Sequence, residues 1–218
     1  MNFRHVGYLL MAGLLLSGCA TGRISVPRAW TDPEMNFDKI RVVAVLPMFP
    51  QNVEDQVFSG AFGSQLEGAL VTRQSQWRIV SSREVLQVIN RNNLGNGYKN
   101  LQADMNVPSS GMGQIAYSPG TNAFVMSLKK TMGADAIIVG TYNFGSPSGG
   151  GLMGALTSAI TSAIGGTRVK VSLLYVNGSS AKNWWSAELN RRRINDEIIQ
   201  EMAASVAANI GKGTLLQL

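Results

Sequence analysis

The chain is predicted to be an α/β domain, a mixed β-sheet with helices packed on it. Three observations predict this. In the first two thirds, short β-branched runs alternate with segments whose apolar residues recur at helical spacing. Further on, three strand-like runs follow one another, the last two joined by an Asn-Gly turn. A last segment returns to apolar residues every fourth position. The predicted order is β-α-β-α-α-β-β-β-α.

The first strand is Ile40-Arg41-Val42-Val43-Ala44-Val45-Leu46, ended by Pro47. It is apolar on nearly both faces, which suits a central strand covered from two sides. A helix follows from about Glu54 to Arg73, with Phe58, Phe62, Leu66 and Leu70 on one face. Glu54 and Asp55 suit its positive end and Arg73 the other. Trp77-Arg78-Ile79-Val80 is a second, short strand. Ser81 and Glu84 stand at capping-box spacing and open a helix that stops near Asn93-Leu94-Gly95. Residues 95–120, rich in Gly, Asn, Ser and Pro, read as a long loop or insertion. A helix from Asn122 to Met132 follows, with Gly133 as its cap. Ala136–Tyr142, Arg168–Val176 and Trp184–Leu189 are the three later strands, with Asn177-Gly178 as a hairpin turn. The last helix, about Asn195 to Ile210, carries Ile198, Met202, Val206 and Ile210 every four residues.

At 218 residues and 45% apolar content the chain can build one buried core. It has one cysteine and one histidine, Cys19 and His5, both within the first 19 residues. What lies beyond them therefore holds no disulfide, no Ser-His or Cys-His centre and no histidine metal ligand. No catalytic or metal site is predicted. Formal charge is +6. The first 18 residues hold Arg4 and no acid, so the remainder carries 18 basic against 13 acidic groups, +5. The basic residues are spread and not interleaved with aromatics, which argues against nucleic acid. Arg191-Arg192-Arg193 reads as a solvated helix start.

A basic start (Arg4), an apolar run from Val6 to Leu16 and small residues before a cysteine make a bacterial export signal. Its ending, Leu16-Ser17-Gly18-Cys19, resembles the lipobox of bacterial lipoproteins. The resemblance implies acylation of the Cys19 thiol and cleavage before it, so that Cys19 becomes a lipid-bearing N-terminus carrying palmitate, with no cofactor besides this lipid. Ala20, a residue other than Asp, implies by the same resemblance the periplasmic face of the outer membrane. The expected organisation is a signal peptide at 1–18, the acylated Cys19 with a flexible tether at 19–37, and a single periplasmic domain at 38–218. Fully extended, about 18 tether residues reach roughly 60 Å.

Gly133-Ala134-Asp135-Ala136-Ile137-Ile138-Val139-Gly140, then Val169–Gly178, then Trp184-Trp185-Ser186 resemble periplasmic lipoproteins of the curli-secretion (CsgG) and TolB N-terminal-domain-like group, whose fold is anticodon-binding-like. Val42–Pro47 and Trp77–Arg83 fit the same layout, so the resemblance covers about residues 38–210. It implies a non-enzymatic, oligomeric assembly subunit in an envelope secretion or polysaccharide-export complex. The alternative it leaves open is an activator docking on a peptidoglycan synthase. Two long alternating segments for a curli-type membrane barrel are absent from this sequence.

Residues 145–167 form an expected hairpin arm. No charged residue occurs from Ala136 to Thr167. Leu152, Leu156, Ile160 and Ile164 step by four, between glycines at Gly149–Gly151 and Gly165-Gly166. At 1.5 Å per residue, 13 residues span about 20 Å, too short to cross a bilayer. The arm either packs on its own domain or meets a neighbouring subunit, a partner or the membrane surface. Lacking Lys and Arg, it suits a subunit better than anionic lipid. Gly149-Gly150-Gly151 lacks the Gly-Lys-Ser/Thr ending of a phosphate loop. Glu54-Asp55 and Asp196-Glu197 are explained by helix-end electrostatics. Asp135 and Glu188 are the carboxylates to test for an enzyme. Trp184 and Trp185 are expected on opposite faces of a strand, one in the core and the other exposed or covered, with a carbohydrate contact as the functional alternative.

Overall fold

The computed structural model describes residues 28–52, 55–107, 115–144, 166–178, 180–191 and 194–210. In chain order the elements are β1 (Arg28–Thr31), a 3-10 turn (Phe37–Lys39), β2 (Val42–Val45), β3 (Phe49–Pro50), α1 (Gln56–Arg73), β4 (Arg78–Val80), α2 (Ser82–Arg91), α3 (Gly95–Asn106), α4 (Pro119–Met132), β5 (Ala136–Phe144), β6 (Thr167–Asn177), β7 (Ser180–Arg191) and α5 (Asp196–Asn209). The sheet order is β1-β7-β6-β5-β2-β4, with β3 also paired to β5. β2 lies between two parallel partners, β4 and β5, and each needs a helical crossover. α1 supplies the first, α2 to α4 the second. β5, β6, β7 and β1 then run antiparallel in turn. The α/β class with helices on a mixed sheet is the observed one.

Alternation along β2 explains the two cores. Val43 and Val45 face one cluster, with Phe58, Phe62, Leu66 and Leu70 of α1 and Met202, Ala203 and Val206 of α5. Ala44 and Leu46 face the other, with Val85 and Ile89 of α2, Leu101 and Met105 of α3, and Phe124, Val125 and Leu128 of α4. The run looked apolar on both faces because both faces are covered. The helix starts follow local chemistry. Asp55 accepts from the Phe58 amide, Ser81 from Glu84, Ser118 from Thr121 and Asn195 from Ile198.

Four expectations are corrected. The tether does not run to residue 37: Arg28–Thr31 is an edge strand on β7, in register with Trp185–Glu188. Behind it Asp32, only 2% exposed, takes Lys182 at 3.2 Å, and Glu34 takes the same ammonium at 2.6 Å. Second, residues 95–106 are helix, not loop, and the next helix begins at Pro119 rather than Asn122. Gly97 misled, because its role is close approach: a Cβ there would lie 2.6 Å from Phe124 Cβ, so the residue lets α3 pack onto α4.

Third, both tryptophans are buried in the same cluster, Trp184 at 4% and Trp185 at 0% exposure. Leu173 pairs with Trp185 but Leu174 pairs with Asn183, leaving Trp184 as the extra residue of a β-bulge. A bulge resets the two-residue alternation, so neighbouring side chains reach one face. Trp184 stacks on Tyr175 at 3.7 Å between centroids, and neither indole is open to a sugar. Fourth, Arg191 ends β7 and does not start a helix, while Arg192 and Arg193 lie outside the described residues.

Candidate functional site

The predicted site residues lie outside the described residues: Cys19, and Leu152, Leu156, Ile160 and Ile164 of the arm. The described strands end on either side of the segment expected to form the arm. β5 and β6 pair as far as Phe144 and Thr167. Asn52 clasps Phe144 there, its amide nitrogen donating to the carbonyl and its amide oxygen accepting from the N–H at 3.2 Å. Phe144 packs edge-on against Phe58 and Tyr142, with centroids 5.5 and 5.4 Å away.

The carboxylates singled out for chemistry have structural partners. Asp135 Oδ2 accepts from the Arg41 and Val42 amides at 2.9 and 3.0 Å, fixing the start of β2. Glu188 pairs with Arg168 at 3.0 Å across β6 and β7. Asp55 caps α1, Asp196 and Glu197 sit in the first turn of α5, and Glu54 lies outside the described residues. Among the described residues no group of three or more His, Cys, Asp or Glu is placed to hold a metal ion.

Sequence reasoning missed a crevice of about 770 Å³ at the carboxyl end of β2. The chain leaves β2 on one side through α1 to β4, and returns on the other side through α4 to β5. Such a switch of direction opens a gap beyond the strand ends, where open α/β sheets bind ligands. The floor is Pro47, Met48, Phe49 and Pro50. Met48 can lie there because Gly140 of β5 has no side chain: a Cβ would sit 2.4 Å from the Met48 sulfur and 2.9 Å from the Lys170 carbonyl oxygen. One wall is the start of α1, held by Tyr142, whose hydroxyl accepts from the Asp55 N–H at 2.7 Å and lies 3.1 Å from its carbonyl. The other wall is α2 and α3. Glu67 ties it to α1 by accepting from the Ser82 amide at 2.7 Å, and Asn106 ties it to Pro50. Tyr98 tilts against Phe49 at 5.1 Å between ring centroids.

Burial pushes the Tyr98 phenol up to about 12 from 10.0. Burial, then the Asp104 charge, raises Tyr117 as well. A proton held more tightly when folded stabilises the fold below the unfolded pKa and is lost as pH rises towards the folded one. Lys182 has the same sign, raised by its hydrogen bonds to Glu34 and Asp32. Lys170 has the opposite sign, lowered by burial against the pull of Glu188, so it gains stability as pH rises towards 10.5. Three groups oppose one, so stability is expected to fall between about pH 10 and 12. Tyr98→Phe should flatten that fall by on the order of 2 kcal/mol across the window, read from urea midpoints at each pH. An unchanged slope would place Tyr98 in solvent.

No protein-family model and no curated protein matches the chain. Among solved structures it is similar to a PelC dodecamer from Paraburkholderia phytofirmans, at 13% identity and TM-score 0.42. That match covers 83% of this chain and 94% of that one. A second crystal form of the PelC dodecamer gives 13% identity and 0.42 over 82% and 91%. A hypothetical protein from Chlamydia trachomatis gives 11% identity and 0.36 over 69% of each chain.

Proposed function

We propose that the chain is a lipid-anchored, non-enzymatic assembly subunit of an envelope secretion or polysaccharide-export complex, seated on the periplasmic face of the outer membrane. The observation that carries this reading is Leu16-Ser17-Gly18-Cys19, whose cysteine has no second in the sequence, ahead of a domain that contains no histidine. An acylated cysteine holds a domain at a bilayer, and a domain without His or Cys is poorly equipped for nucleophilic chemistry. The likeness to the curli-secretion and TolB-like group fits the same reading.

The outer face of α1 supports self-association. Val57 and Val71, 82% and 60% exposed, lie on one side of that helix with Ser64 and Gly68 between them. A Cβ at Gly68 would meet nothing within 4 Å, so the fold of the monomer does not require the glycine. Helix-interior glycine costs about 1 kcal/mol relative to alanine, and close approach of a second helix is what such a cost allows.

Native mass spectrometry of the detergent-extracted, acylated protein tests this reading. A discrete oligomer is expected. Val57→Lys with Val71→Lys should reduce it to monomer, and that monomer should unfold within about 0.5 kcal/mol of the wild-type monomer, because both side chains face solvent in the single chain. A wild-type protein that stays monomeric at high concentration overturns the assembly reading.

A further inference from the structure

We infer that the crevice at the carboxyl end of β2 is a binding site for an uncharged saccharide. Four carboxamides reach it from three helices: Gln56 of α1, Gln87 and Asn90 of α2, and Gln102 of α3. Among the described residues the side-chain amides of Gln87, Asn90 and Gln102 have no protein partner. A carboxamide presents donor and acceptor side by side, which matches a sugar hydroxyl or acetamido group. Among the described residues the lining holds no Asp, Glu or Lys, and Arg83 is its single charge. A cation thus finds no counter-charge there, and a polyanion finds one.

The volume, about 770 Å³, lies within the range of small-ligand sites, and the apolar floor suits the C–H face of a pyranose. A peptide fits less well. Extended peptides bind by adding to a free sheet edge. Here β2 is paired on both sides, and β3 is two residues long and ends in Pro50, which has no amide to offer. The inference is independent of self-association, since one copy of the chain carries the whole crevice.

Full-length acylated protein in detergent micelles is titrated with chitotetraose, maltotetraose and isomaltotetraose, and the side-chain amide resonances are followed by NMR. Inorganic phosphate and a neutral decapeptide are titrated alongside. Saturable movement of the Gln87, Asn90 and Gln102 amides with at least one sugar is expected. Gln87→Ala with Asn90→Ala, both exposed helix positions, should weaken it about tenfold. Gly60→Leu, which adds a side chain in open space at the α1 wall, should abolish it. No saturable change with any of the three sugars overturns the proposal. So does binding that survives both variants, or movement of these amides by phosphate or the decapeptide alone. Loss of the oligomer with sugar binding intact would count against the assembly reading and leave this one standing.

Discussion

Trp185→Ala is expected to lower the free energy of unfolding by about 3–5 kcal/mol, and Trp184→Ala by about 2–4 kcal/mol. The first figure reflects full burial. Trp185 is 0% exposed in the cluster that α1 and α5 build on the sheet, and among the described residues its Nε1 has no hydrogen-bond partner, so the loss is packing and cavity. The second adds a stacking term, because Trp184 lies parallel to Tyr175 within 9°. Domains of this size are stable by only about 5–15 kcal/mol, so Trp185→Ala brings the fold near its margin. Urea midpoints, with the slope held constant, read both values. The pair is diagnostic. A regular strand sends two adjacent indoles to opposite faces of the sheet, so one of them would lie outside the cluster built by α1 and α5. A loss below about 1 kcal/mol at either position is the surface-residue outcome and would remove the bulge from β7.

That pair also marks where sequence reasoning stops. A strand over Trp184–Leu189 was legible from its paired tryptophans after the Asn177-Gly178 turn, but a bulge is a fact about two strands. Its position depends on Leu173 and Leu174 pairing with Trp185 and Asn183, which no single run displays. β1 failed for the same reason. Arg28-Ala29-Trp30-Thr31 is too short to show alternation, and it is a strand because β7 and Lys182, some 150 positions later, hold it. The missed helix α3 is a conflict between local and tertiary signals. Gly95, Gly97 and the asparagines speak for a turn, while Tyr98, Leu101 and Met105 keep helical spacing, and burial of the last two decides. Caps were legible because they are chemistry between neighbours: Ser81 three residues before Glu84 is the same object in the sequence and in the structure.

The crevice divides along the same line. Gln56, Gln87, Asn90 and Gln102 each look like the solvated side of a helix, and nothing in their spacing announces that three helices converge. Cys19 stands at the other extreme. Its proposed role rests on four consecutive residues read by processing enzymes in an extended chain, so it needs no fold to be seen.

Removing that cysteine is therefore expected to have the largest effect on where the protein resides. Wild-type chain should incorporate labelled palmitate and stay with membranes through high-salt washing. Cys19→Ser should incorporate none, and a chain starting at Ala20 behind an ordinary cleavable signal should be released almost entirely. The magnitudes decide this. Each buried methylene of an acyl chain contributes about 0.8 kcal/mol, and two or more chains hold a domain stably at a bilayer. The charge left after residue 18 is +5, spread along the chain, and a basic residue near an anionic surface contributes about 1 kcal/mol at most, a contribution that salt removes. No described helix is long and apolar enough to cross a membrane. The released chain should unfold at the wild-type urea midpoint, because the first strand among the described residues begins at Arg28, beyond the lost residue. If the chain starting at Ala20 still pelleted after salt washing, anchorage would have to come from the domain itself, and the uncharged arm with Leu152, Leu156, Ile160 and Ile164 would be the first segment to delete.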